Sequence, residues 1–257
     1  LAAGSALGAA VSTIGDINGD GIGDIIIGAD DADTVNGANS GINYVIFGSS
    51  AGFGQEFELS DLDGTNGFVI NGEDGGDHAG ISVSNAGDIN ADGVDDLIIG
   101  AFMADPESGS AAGISYVVFG STDGFASTIE LSELDGTDGF AINGAVTGDR
   151  SGRSVSAAGD VNNDGVDDLI IGAYQADPNG LNVSGASYVV FGASNIAEQF
   201  VTQNVTINLT NDDPVFVTPA NTSSEENTTF VLDIDATDAQ GDVEGAGLSY
   251  AITGGAD

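Results

Sequence analysis

The chain of 257 residues has no cysteine, no tryptophan and no lysine. Without cysteine there are no disulfides and no thiolate metal sites, although this alone does not fix the compartment. Two arginines, Arg150 and Arg153, face 41 acidic residues, for a net charge of −39. Such a charge repels nucleic-acid phosphates and anionic membrane surfaces. Cations are the natural partners, and a salty outside medium that screens self-repulsion is a natural home. No apolar run approaches the ~18 residues of a membrane helix. His78 is the only histidine and no nucleophile-elbow sequence occurs, so no catalytic triad can be assembled and the chain is not expected to be an enzyme. No stretch carries apolar residues at a 3.6-residue spacing, so helices should be scarce.

What is present is repetition. Asp16, Asp88 and Asp160 open three acidic loops spaced 72 residues apart. Tyr44, Tyr116 and Tyr188 open "YVIFG", "YVVFG" and "YVVFG" at the same spacing, and Phe68 and Phe140 repeat it within "GFVING" and "GFAING". Within the middle unit, "ISVSNAG", "DLIIGA", "SYVVFG" and "GFAING" read as short strands, with "TIEL" a weaker one. Gly, Asn, Asp and Ser clusters separate them. Four short antiparallel strands per unit suggest a propeller blade. A β-solenoid is the competing architecture, but its coils are usually shorter. Three blades do not close a ring of about four to eight. The start, "LAAGSALGAAVS", falls inside a unit, without initiator Met or signal-like leader, and reads as an internal piece of a longer protein.

The reading is therefore all-β. Residues 1–203 hold three four-stranded antiparallel repeats (about 4–72, 73–144 and 145–203), part of a larger propeller. Residues 204–257 hold a linker and a truncated β-sandwich. "VTINL" (205–209) ends the third blade or starts something new.

Each acidic loop reads Asp-x-Asn-x-Asp-Gly-x-x-Asp. The candidate metal ligands are Asp16, Asn18, Asp20, the Ile22 carbonyl and Asp24 in the first loop. They are Asp88, Asn90, Asp92, Val94 and Asp96 in the second, and Asp160, Asn162, Asp164, Val166 and Asp168 in the third. Hard Ca²⁺ takes six to eight oxygens, and side chains at positions 1, 3 and 5 converge when the chain curls around one point. Glycine at position 6 permits the sharp turn. The ninth residue closes the shell and could use both carboxylate oxygens. An EF-hand is excluded, because position 12 is Ile27, Ile99 or Ile171 rather than Glu and a strand follows. Mg²⁺ keeps its waters, and Zn²⁺ would want Cys or His clusters. The alternative is a metal-free Asp/Asn/Gly turn, against which the threefold recurrence weighs. A bound ion lowers each loop's charge from −3 to −1, and about three ions would stabilise the fold at weak sites of ~10⁻⁴ to 10⁻³ M.

"SVSNAGDINADGVDDLIIGA" followed by "SYVVFG" resembles the FG-GAP repeat of integrin α-subunit propellers and of many bacterial surface proteins, over about residues 4–192. The resemblance implies a propeller, commonly seven-bladed, with Ca²⁺ between the first two strands of a blade. The family's first "FG" is replaced by Leu7-Gly8, Ala79-Gly80 and Ser151-Gly152, and its "GAP" by "GAD", "GAF" and "GAY". No integrin ligand is transferred. The tail, about 211–257, resembles the start of a bacterial cadherin-like domain, with Glu226 and Asp238 as matching ligands and Gln240 where an aspartate is expected.

The function expected is a calcium-binding adhesion or structural module of a large extracellular or cell-surface protein of bacterial type. Its partners would be calcium and a cell-surface or matrix protein or a glycan. The alternatives are a non-catalytic propeller domain of a secreted hydrolase and a plain spacer. His78 reads as an exposed loop residue, Arg150 and Arg153 as answering nearby acids, and the recurring tyrosines as packing residues. Asn182, Asn204, Asn208, Asn221 and Asn227 begin Asn-x-Ser/Thr sequences that chance explains in a chain of this composition.

Overall fold

The computed structural model describes residues 4–178, 182–194 and Ile196. The cadherin-like reading, the "VTINL" strand and the boundary at 203/204 all lie outside the described residues. Among those residues no helix is long and apolar enough to cross a membrane.

Among the described residues twelve strands form three sheets. The first unit supplies β1 (Ala10–Gly15), β2 (Asp24–Ala29), β3 (Ile42–Ile46) and β4 (Gly67–Asn71). The second supplies β5 (Ser82–Gly87), β6 (Asp96–Ala101), β7 (Ile114–Val118), β8 (Thr128–Glu130) and β9 (Gly139–Asn143). The third supplies β10 (Ser151–Gly159), β11 (Asp168–Ala173) and β12 (Ala186–Val190). The sheet orders are β1-β2-β3-β4-β8, β5-β6-β7-β9 and β10-β11-β12. Each unit is an antiparallel meander, and the sheets are consistent with propeller blades.

Register repeats with the sequence. Ser12, Ile26, Val45 and Phe68 lie in one cross-strand row, and Ser84, Ile98, Val117 and Phe140 in its copy. Val11, Ile27, Tyr44 and Val69 form the adjacent row, copied as Val83, Ile99, Tyr116 and Ala141. Successive residues point to opposite faces. The core is therefore built between sheets: Ile26, Val45 and Phe68 cluster with Val83, Ile99 and Tyr116. Ile98, Val117 and Phe140 cluster with Val155, Ile171 and Tyr188. The recurring tyrosines are buried packing residues. The middle sheet is covered on both sides, so β6 and β7 are buried throughout, whereas β2 and β11 are buried only in part. Sheets approach closely at Gly100, where an added Cβ would lie 1.9 Å from the Gly152 carbonyl oxygen.

One strand departs from the sequence reading. "TIEL", expected within the middle unit, leaves its own sheet and pairs as β8, in parallel, with β4 of the preceding one. The reason lies just before it. Phe125 stacks on Phe68 of the first sheet with centroids 4.4 Å apart. Glu130 then accepts hydrogen bonds from Asn71 Nδ2 (2.6 Å) and Asn36 Nδ2 (2.9 Å). The segment straps two units together and covers an edge that would otherwise be bare. One period earlier, Phe53 is 53% exposed and packs only edge-on against Phe57. The third sheet has three strands among the described residues, not the four expected of each repeat.

Candidate metal centre

The three acidic loops join the first two strands of each sheet. Each follows a β-bulge ending at Gly15, Gly87 or Gly159. The bulge turns the strand so that the next aspartate starts the loop. In the second loop the Asp92 N–H donates to both Asp88 Oδ1 and Asn90 Oδ1 at 2.9 Å. The Gly93 N–H donates to Asp88 Oδ2 at 2.9 Å, and the Val94 N–H to Asp92 Oδ1 at 2.9 Å. The same four bonds recur at 2.7–2.9 Å in the first loop and at 2.9–3.0 Å in the third. Positions 1, 3 and 5 are thus gathered by the backbone they enclose. Position 6 sits at φ +84°, +92° and +92° in the three loops, a conformation that favours glycine.

The ninth residue plays a different part. Asp24, Asp96 and Asp168 are buried. Asp96 Oδ2 accepts the Ile89 N–H at 3.0 Å and its Oδ1 the Gly120 N–H at 2.8 Å. Asp24 and Asp168 do the same with Ile17 and Gly48, and with Val161 and Gly192. This carboxylate ties its loop to the glycine ending the third strand's "FG". Burial pushes Asp96 up to about 8, against the pull of its two N–H donors, and raises Asp24 and Asp168 for the same reason. The aspartates at positions 1 and 5 add to the rise in Asp24 and Asp96 by repulsion.

These residues fit a hard divalent cation. The donors are all oxygens, and each carboxylate oxygen that accepts one N–H keeps a second lone-pair direction. A buried carboxylate pushed toward protonation is a group that a cation would relieve.

Two further positions matter that the motif did not reveal. Asp95 and Asp167, at position 8, reach back to the preceding unit. Asp95 Oδ2 accepts the Asp16 N–H at 2.8 Å, and Asp167 Oδ2 the Asp88 N–H at 3.2 Å. The carbonyls at position 2 reach forward: Ile17 O accepts the Ser121 N–H at 2.9 Å and Ile89 O the Ala193 N–H at 3.0 Å. The first two loops are therefore each braced by the unit that follows. A sequence signal existed in the acid at position 8 of the second and third loops, where the first has Gly23.

The basic residues gather at the opposite end of the sheets. Arg150 and Arg153 lie over the Phe102 ring at 5.8 and 5.5 Å, and Arg150 Nη1 donates to the Tyr174 hydroxyl at 2.7 Å. Both lie against aromatic rings, and Arg153 also answers a nearby acid, supporting the charge of Asp30. His78 is half-buried, not exposed, with Nδ1 3.1 Å from Asp31 Oδ1.

The described units match the FG-GAP repeat model over residues 79–118 and 151–190. Both stretches take in the unit's first three strands, and so include the acidic loop. The chain carries FG-GAP repeats. It is 29% identical over 174 residues to integrin alpha-4 of Xenopus laevis, covering 68% of this chain and 15% of that protein. It is 33% identical over 205 residues to integrin alpha pat-2 of Caenorhabditis elegans, covering 74% of this chain and 14% of that protein. It is 32% identical over 161 residues to phosphatidylinositol-glycan-specific phospholipase D of Bos taurus, covering 63% and 18%. The chain thus spans under a fifth of the length of these relatives. All three come from animals and lend no support to a bacterial source, and the cadherin-like reading of the tail finds no support among these comparisons.

Proposed function

We propose that the chain is a calcium-stabilised, non-catalytic binding and structural module of a larger extracellular or cell-surface protein. The observation that carries this reading is the threefold recurrence of one hydrogen-bond network, which holds positions 1, 3 and 5 of every acidic loop together, on a turn that in the first two loops the following unit braces. Asp16, Asn18, Asp20, Asp24 and the Ile22 carbonyl would hold one ion. Their counterparts in the other two loops would hold one each. The cation would neutralise carboxylates that otherwise repel each other and lock the hairpin to its neighbour. Similarity to two integrin alpha chains supports a role in adhesion, with loops at the end away from calcium meeting the partner.

A second reading has its own support. The likeness to phosphatidylinositol-glycan-specific phospholipase D favours an accessory module of a secreted hydrolase. Binding assays on cells, matrix proteins and glycan arrays, with calcium and with EDTA, separate the two. Calcium-dependent capture of a surface partner supports adhesion. Absence of any capture, with a hydrolase domain in the parent chain, supports the accessory role.

A further inference from the structure

At the end of the sheets away from the acidic loops, β2 ends at Ala29 and the chain continues into Asp30 and Asp31. His78, from the segment leading into β5 of the second unit, lies against them. Its Nδ1 is 3.1 Å from Asp31 Oδ1 and 3.8 Å from Asp30 Oδ2, and one donor atom from each residue lies within 4.8 Å of the others. We propose that Asp30, Asp31 and His78 form a site for a divalent transition-metal ion of the Zn²⁺ type, clamping the first unit to the second.

Three observations carry this. The first is spacing. Donors ~2.0–2.2 Å from a tetrahedral ion lie about 3.3–3.5 Å from one another, and the two imidazole–carboxylate separations bracket that value. The second is the state of Asp30. Its side chain is only 9% exposed, yet it points at an imidazole 3.8 Å away, beyond hydrogen-bond reach. Burial and the neighbouring Asp31 both work against its charge, while its own backbone N–H, His78 and Arg153 support it. A carboxylate stripped of water and short of donors is what a metal ion would satisfy. The third is the way in: His78 and Asp31 are 23% and 46% exposed, so an ion can reach the site from solvent.

The donor set of one imidazole nitrogen and two carboxylates suits a borderline ion rather than Ca²⁺, which takes oxygens alone. One period on, the corresponding residues are Phe102, Met103 and Arg150, and a cation lies over a ring instead. His78 and Arg150 share φ 57°. Their N–H groups donate to equivalent carbonyls, His78 to Asn39 O at 3.0 Å and Arg150 to Ala111 O at 3.1 Å. The fold thus already accepts an arginine on this backbone, which supplies the control variant.

The test uses the full chain in saturating Ca²⁺, so that the acidic loops are occupied whatever their role. Co²⁺ is titrated by visible absorption and Zn²⁺ by calorimetry, and imidazole NMR signals of the single histidine report its ligation. Expected are one equivalent bound, a shifted His78 signal and a raised melting temperature. His78→Arg, still folded, should lose all three, and Asp30→Asn should weaken binding by more than about tenfold. A His78 signal unmoved by Zn²⁺, or Co²⁺ binding equal in wild type and His78→Arg, would leave a simple histidine–aspartate ion pair and overturn the proposal.

Discussion

At one end of each sheet the loop residues at positions 1, 3, 5, 6 and 9 are the same in all three units. At the other end, the residue just after the second strand is Asp30 in the first unit, Phe102 in the second and Tyr174 in the third, and the first two face the following unit. Both ends join neighbouring units. The acidic end does so through backbone groups: the N–H of Asp16 and of Asp88, and the carbonyls of Ile17 and Ile89. Backbone geometry does not depend on residue type, so the same kind of carboxylate, Asp95 and then Asp167, serves at both junctions. The opposite end uses side chains against side chains, an imidazole on carboxylates in one interface and guanidinium groups on a ring in the next. There, each interface is free to differ. The comparison separates a repeated scaffold from a surface that each repeat individualises.

The largest expected effect breaks the scaffold at its buried residue. Asp96→Ala would leave the Ile89 and Gly120 N–H groups without their acceptor in a buried site, at about 1–3 kcal/mol each. Chemical denaturation should show about 4 kcal/mol lost in EDTA and more in calcium, because the variant also loses a ligand to the ion. Asp92→Asn, at the exposed position 5, should instead leave the EDTA value nearly unchanged and reduce only the calcium response. Equal losses from the two variants would show that positions 5 and 9 do not differ in role.

A second effect comes from pH without calcium. Asp96 is pushed up to about 8 and Asp77 to about 6 by burial, from an ordinary value of 3.8. The folded form therefore holds these protons more tightly than the unfolded chain does. Their contribution to stability is full below about pH 4 and is lost as pH rises through 6 and 8. In EDTA the melting temperature should fall between pH 5 and pH 8.5. Calcium binds the ionised carboxylates and should flatten that slope. A melting temperature in EDTA that rises over this range would contradict the burial of Asp96.

Smaller changes sharpen the contrast between copies. Asp95→Ala removes one acceptor from the Asp16 N–H and should cost about 1 kcal/mol, measured by denaturant midpoint in calcium. Gly23 occupies the same place in the first loop, so the mutation makes the second loop like the first. The smallest effect is a gain. Ala91 holds φ +58° where the first loop has Gly19 at +72°, so Ala91→Gly should stabilise by about 0.5–1 kcal/mol.

The strands, their sheet partners within a unit and the loop positions were legible because each is local. The 72-residue period gave the units, and the recurrence of Tyr44, Tyr116 and Tyr188 marked them as packing residues, as they are. What escaped depends on one unit meeting another. β8 lies in the second unit's sequence but in the first unit's sheet, held there by the Phe125–Phe68 stack and the Glu130 hydrogen bonds to Asn71 and Asn36. His78 looks solitary in the sequence, since 47 residues separate it from Asp31 and only the packing of two units joins them. The double duty of the ninth aspartate was hidden for a different reason: its partner Gly120 lies 24 residues on, just past the third strand of the same unit.

The central claim is that three equivalent loops bind calcium and through it lock the units together. The most direct measurement is calorimetric titration of the EDTA-stripped chain with Ca²⁺, paired with melting curves before and after. Three ions per chain at ~10⁻⁴ to 10⁻³ M, with a melting temperature that rises in proportion to occupancy, is the predicted result. No heat of binding and a melting temperature indifferent to calcium would reduce the loops to hydrogen-bonded turns and contradict the account.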